Sequence, residues 1–283
     1  MKGLVWHRVP VIIRATITGG LVAALGTLPW ALLDSLNIKY WSGVPWAVPP
    51  TALYLWLFWR YLVRGAGWPR STADARRTLA RANPVRDEMW GVAIVAGLLG
   101  LVVVLLLQTV LSRLVAIPQQ QDIDPSKYPA ATVLLWVVMS ALVAGVTEET
   151  AFRGYLQRPI ERRHGPVLAI LVTGILFGFL HFTHPEVTVA LLPFYVAVAA
   201  VYGTLAYLTD SIFPGMVLHA GGNVFAAFDL FARGHSEWQG LGPPAKLVRE
   251  AGTDAAFWGS VAATLVVGAL TVGAYVMLAR LRK

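Results

Sequence analysis

Runs of about 20 predominantly apolar residues, the length that crosses a hydrocarbon core, recur along the chain at roughly 11–33, 43–63, 89–111, 129–151, 166–185, 187–208, 211–231 and 256–279. Hydrocarbon offers no water to backbone N–H and C=O groups, so each run must bond its own backbone internally, which leaves helices. The reading is an all-α fold, a polytopic transmembrane helical bundle of about eight spans, with residues 1–283 forming a single integral membrane domain. Composition agrees. Hydrophobic residues make up 57% of the chain and charged residues only 13%, against about 25% charged in soluble domains. With no cysteine, disulfides, a thiol nucleophile and a cysteine metal site are excluded. Eleven Trp and nine Tyr suit many helix ends anchored at headgroup depth.

A net charge of +8 would fit nucleic acid if it formed a patch, but these charges flank the apolar runs, so no nucleic-acid partner is expected. With a cytoplasmic N-terminus, the outer segments hold only Lys39, Arg113, Lys127, Arg233, Lys246 and Arg249 of the 23 Lys and Arg. The positive-inside rule then places both termini in the cytoplasm. Composition rich in Ala, Arg and Trp points to a bacterial inner (plasma) membrane. The first run, interrupted by Arg14 and lacking a clear cleavage site, reads as a retained span rather than a signal peptide. The basic stretch Thr72–Arg81 is expected as a helix lying against anionic lipid or, equally, as part of a solvated cytoplasmic loop that sets topology. The loops 112–128 and 234–254 are expected outside.

Charged and strongly polar side chains within such runs cost roughly 2.5–3.5 kcal/mol at a helix centre and mark working sites. Here they are Glu148 with Glu149, His181, His219 and Asn223. Glu148 and His181 lie at similar separations on either side of a turn read at His164–Gly165, so two antiparallel helices of equal rise bring them to one depth. Phe177 and His181 are four apart and share a helical face, as do His219 and Asn223. At 100° per residue Arg153 faces Glu149 and not Glu148, which leaves Glu148 as a free base. Structural roles compete at each position: Asn223 as interhelical glue, Glu149 and Arg153 as a buried ion pair, Phe177 as packing, His184 as an interfacial residue.

At these residues the chain resembles the CPBP family of intramembrane endopeptidases, which includes type II CAAX prenyl proteases and bacteriocin-processing, Abi-like proteins. The family's EExxxR motif appears as EETAFR (Glu148, Glu149, Arg153), FxxxH as FGFLH (Phe177, His181) and HxxxN as HAGGN (His219, Asn223). The match covers residues 130–231, the expected catalytic core; the flanking spans rest on hydropathy.

The resemblance implies hydrolysis of a peptide bond in a membrane-associated or hydrophobic peptide or protein. Residue chemistry fits it: a desolvated carboxylate, Glu148, with His181 to activate water, and His219 with Asn223 to stabilise the oxyanion. No cofactor is expected, since an HExxH helix is missing, although two His with Glu and Asn also describe a zinc site, so the metalloprotease alternative stays open. So do a non-catalytic immunity or scaffold membrane protein and a proton-coupled transporter, the last favoured only by inverted repeats or paired broken helices.

Overall fold

The computed structural model describes Trp6 and residues 8–116, 127–181, 185–233 and 246–282. His184 and most of the loops 112–128 and 234–254 lie outside them. The described elements are α1 (Val11–Lys39), α2 (Val48–Phe58) continuing into a π turn (Trp59–Val63), α3 (Ala73–Ala80), α4 (Asp87–Leu114), α5 (Ala130–Val143), a π-helical segment (Ala144–Gln157), α6 (Arg158–His164), α7 (Pro166–Leu180), α8 (Pro185–Thr209), α9 (Phe213–Arg233), α10 (Val248–Ala251) and α11 (Ala255–Arg282). No strand occurs among the described residues, which contain one isolated bridge, Ala82 with Ser211.

Five stretches are long and apolar enough to cross a membrane: α1, α4, α5 through α6, the Val189–Thr209 part of α8, and α11. The other three runs fall on α2 with its π turn, on α7, which is apolar but shorter, and on α9. Which solvent surrounds the bundle is visible on α1. Ile13, Ile17, Leu21, Leu25, Leu28 and Leu32 are all exposed, while Ala15, Gly19, Val22, Ala23, Gly26 and Trp30 face inward. An outward stripe of large aliphatic side chains at helical spacing is stable against lipid, whereas water would leave a patch that soluble monomers avoid. The outer face of α7 repeats the pattern with Val167, Leu171, Ile175 and Phe179.

The small inward residues of α1 set its distance from the π segment. A Cβ added at Gly26 would sit 2.4 Å from Thr147 Cβ, and one at Gly19 would sit 2.6 Å from Leu156 Cβ. Two glycines seven apart thus let α1 and the π segment touch nearly backbone to backbone, as membrane helices do where hydrophobic driving force is absent. Around this contact Phe152, Tyr155, Leu156, Ile160, Phe177 and Tyr195 form a core, and a second core joins α4, α8, α9 and α11 through Ala93, Val104, Leu205, Leu218 and Leu278.

The turn expected at His164–Gly165 is present. α6 ends at His164, Gly165 takes φ 83°, and α7 begins at Pro166. The arm before it is not an ordinary α-helix, however. Ala144–Gln157 bonds i→i+5, so it advances less per residue than an α-helix, and the equal-rise argument for Glu148 and His181 does not hold. Helical π geometry is usually a single turn at a functional site; here it spans 14 residues. Pro159, with no N–H, cannot extend that ladder, and α geometry returns at Arg158.

The arginine-rich end is tied by a network around the buried Arg81. Arg81 donates to Glu161 Oε2 and Oε1 at 2.9 and 2.6 Å and to Asp210 Oδ1 at 3.1 Å. Asn83 Nδ2 donates to Asp210, and Ser211 Oγ donates to the Asn83 carbonyl at 2.6 Å. Arg81 and Asp210 both adopt positive φ, 57° and 49°, a conformation side chains accept only where surroundings over-determine it. The expectation for Thr72–Arg81 therefore needs correction. The helix forms, but Arg81 is buried in this network and Arg76 turns inward to the carbonyls of Gly65 and Ala66 at 3.0 and 3.1 Å. The carboxylates of Glu161 and Asp210 hold the Arg81 guanidinium, and loop carbonyls hold that of Arg76, in place of lipid phosphate. Arg77 stays half-exposed.

At the opposite end Asp254 caps α11 by accepting the Phe257 N–H at 2.8 Å and pairs with Arg113 at 3.0 Å. The Arg113 hydrogen bond, then that of Phe257, holds its carboxyl below the usual range. A depressed folded-state value means stability is present above the unfolded value, about 3.9, and is lost as pH falls through the folded one. The melting-temperature gap between the wild type and Asp254→Asn should be constant at neutral and mildly acidic pH and close below about pH 4. A gap that closes on the alkaline side would contradict the assignment.

Candidate active site

EETAFR lies wholly within the π segment. Arg153 and Glu149, both fully buried, pair with Nη1 3.0 Å from Oε1. The contact lacks hydrogen-bond alignment, and Arg153 Nε, Nη1 and Nη2 have no hydrogen-bond partner among the described residues. The guanidinium is instead sandwiched by aromatic faces, 5.1 Å from the Tyr202 centroid and 5.6 Å from that of Phe177. Because an i→i+5 ladder stacks residues five apart more closely than an α-helix does, the 100° premise for separating Glu148 from Arg153 fails, although the pair itself forms with Glu149.

His219 on α9 reaches the same carboxylate, its Nδ1 2.9 Å from Glu149 Oε1. Its ring stacks on Tyr202, with centroids 5.2 Å apart and planes 13° apart. Its other nitrogen, Nε2, lies 3.9 Å from Glu148 Oε2. One imidazole thus sits between the two adjacent glutamates. With Glu149 Oε1 accepting from Nδ1–H, a neutral His219 presents a bare Nε2 toward Glu148. Glu148 remains 16% exposed, and its Oε2 has no hydrogen-bond partner among the described residues. Buried polar atoms without partners are uncommon and concentrate where water or substrate engages. Here Glu148, Glu149 and Arg153 all carry them.

His181 caps the end of α7 and is exposed. Its Nδ1 contacts the Phe177 carbonyl at 2.8 Å. A carbonyl only accepts, so Nδ1 carries the proton and Nε2 is bare when the ring is neutral. The ring packs 4.2 Å from Phe177 and 5.4 Å from Tyr195, so it joins the cluster through Phe177 and Arg153. Among the described residues Glu148 makes no hydrogen bond to His181; its charged-group neighbour is His219.

Asn223, one turn beyond His219, lines a groove of about 310 Å³ between α1, α5 and α9. Trp30, Asp34 and Ile38 form one wall, Val133, Trp136 and Ser140 another, and Ala227 continues the third. Asp34 Oδ1 is buried there without a hydrogen-bond partner among the described residues. Sequence reasoning missed Asp34 because the first run was ended at residue 33, whereas α1 continues to Lys39. The rule that flagged Glu148 would have flagged it too. Tyr202 was also missed; a Tyr at mid-span, away from an interfacial belt, was the available signal.

Residues 130–225 match the family model described as type II CAAX prenyl endopeptidase Rce1-like, a region that contains all three motifs. Comparison with curated proteins gave no match, and comparison with solved structures gave none.

Proposed function

We propose, from the premise that this integral membrane protein carries a CAAX-type endopeptidase region, that it hydrolyses a peptide bond in a membrane-associated or hydrophobic substrate with Glu148 as general base. The observation that carries the reading is the approach of His219 to both glutamates, 2.9 Å to Glu149 and 3.9 Å to Glu148, inside helices that only lipid can surround. Two acceptors 3.9 Å apart can each take one O–H of a single water. Glu148 removes a proton as the water oxygen bonds to the scissile carbonyl carbon. The C–N bond then breaks, and Glu148 returns the proton to the departing amine nitrogen.

This reading moves His219 from the oxyanion role to the water. With Nδ1–H engaged by Glu149, a neutral His219 has no second N–H to give, so the oxyanion falls to the amide of Asn223. His181, with its bare Nε2, accepts a hydrogen bond from the substrate backbone and positions it. Arg153 and Glu149 hold the His219 ring, and Tyr202 fixes its plane. The test compares membrane proteomes of a wild-type strain and a Glu148→Gln strain. Uncut precursors that appear only in the variant identify substrates; identical proteomes count against the reading.

We take the reaction to be metal-free. Zinc needs three or four converging donors at about 2 Å. Among the described residues no three His, Asp or Glu side chains form a group that could hold a metal ion. Activity of the purified protein should survive exhaustive chelation. Loss on chelation with recovery on added zinc would favour the metalloprotease reading instead.

The arginine-rich end, with both termini, is read as cytoplasmic in a bacterial plasma membrane. Reporter fusions after Lys283 and within residues 64–86 should be cytoplasmic, and fusions near residues 120 and 240 external. An external C-terminus overturns this orientation.

A further inference from the structure

We infer that the groove between α1, α5 and α9 seats an apolar stretch of substrate that carries a lysine or arginine, and that Asp34 selects that cation. The inference rests on the protease reading and deepens it by naming what the substrate must contain. Three observations converge on it. The groove is walled mainly by apolar side chains, Trp30, Trp136 and Ala227 among them, and its volume of about 310 Å³ is at the small end of ligand sites, sized for side chains of an extended peptide rather than a whole helix. Its one carboxylate, Asp34, leaves Oδ1 buried and without a hydrogen-bond partner among the described residues. An unpaired carboxylate in an apolar recess is matched by a cation of the occupant, and a wrong side chain there leaves it unpaired, which is how polar recognition discriminates.

The wall that carries Asn223 also decides between a peptide and a lipid amine as occupant. Asn223 lies one turn from His219 on the same helix, and Ser140 and Ala141 lie just before the π segment that carries Glu148. An occupant of the groove therefore rests against α9, which carries His219, and against α5, which leads directly into the π segment. Asn223 touches the groove and serves the oxyanion, so it marks the junction between binding and chemistry.

The test measures binding, not turnover. The full-length protein is placed in phosphatidylcholine nanodiscs, and a short leucine–alanine peptide with one central lysine and a photoactivatable benzophenone is titrated against its norleucine twin. Wild type should be half-saturated by the lysine peptide at a concentration about tenfold or more below that of the norleucine peptide. Asp34→Asn should bring the two peptides together, and Asp34→Lys should transfer the preference to a glutamate twin. Cross-links should fall on α1, α5 and α9. Because the lysine-to-norleucine comparison is made on wild type, a variant that fails to fold does not decide the outcome. Equal binding of both peptides by wild type overturns the inference. So does retention of phosphatidylethanolamine by wild type but not by Asp34→Asn in native mass spectrometry, with both peptides bound alike, which would make a lipid amine the occupant. Lysine-selective binding without Glu148-dependent precursor cleavage leaves the groove standing and sinks the protease reading; cleavage without lysine selectivity does the reverse.

Discussion

Glu148→Gln should lower the rate of precursor cleavage by about 10²–10⁴-fold, the usual contribution of a general base, while the purified protein melts close to the wild-type temperature. The two halves of this result have separate causes. The amide keeps the shape of the side chain but cannot take a proton from water, so the step that generates the nucleophile fails. Stability is spared because Glu148 has no ion pair with Arg153 to lose: its neighbour is His219 Nε2 at 3.9 Å, too far for a direct hydrogen bond. An amide N–H2 placed there faces an acceptor. Glu149→Gln is the control. It removes the charge that Arg153 and His219 both lean on, so it should lower stability as well as activity. If Glu148→Gln stays active while Glu149→Gln is inactive and stably folded, the two roles are exchanged.

Arg153→Ala should destabilise the protein by about 3–5 kcal/mol, the usual cost of stranding one member of a buried pair, measured as unfolding in detergent. The loss is larger than that of a surface ion pair, at about 0–1 kcal/mol, because both side chains are fully buried. Arg153 also contributes its packing between Phe177 and Tyr202. Replacing both partners, Glu149→Gln with Arg153→Met, should recover part of the loss, since an uncharged pair of similar volume leaves no stranded carboxylate. The recovered protein should remain inactive, because His219 then lacks the Glu149 acceptor that fixes its tautomer. A single Arg153→Ala variant within 1 kcal/mol of wild type would mean that His219 alone satisfies Glu149.

The cluster was legible in the sequence to different depths. Glu148, Glu149, Arg153, Phe177, His181, His219 and Asn223 could be picked out one by one because a polar side chain in an apolar run has few reasons to be there. The i+4 spacings told which of them share a face of their own helix, and Phe177 with His181 follows that rule at 4.2 Å. The pairing of Arg153 with Glu149 was also reached, but by an angle that belongs to α geometry, while the segment bonds i→i+5. Nothing local in AGVTEETAFRGYLQ announces that ladder. The segment packs closely against Gly19 and Gly26 and is followed by Pro159.

What the sequence determined by itself is the class of fold and the identity of the polar residues, because both follow from transfer into lipid, a property each side chain carries alone. Long apolar runs must be helices, and charges among them must be justified. What only the tertiary structure decided is which of these groups meet. His219 stands seventy positions from Glu149, and its approach to both glutamates comes from the packing of α9 against the π segment. Asp34 became part of a groove only once α1 was seen to continue past the apolar run and to face α5 and α9. Contacts between helices depend on the distance and rotation of whole elements, and those are set by many small residues at once, so no single spacing in the chain records them.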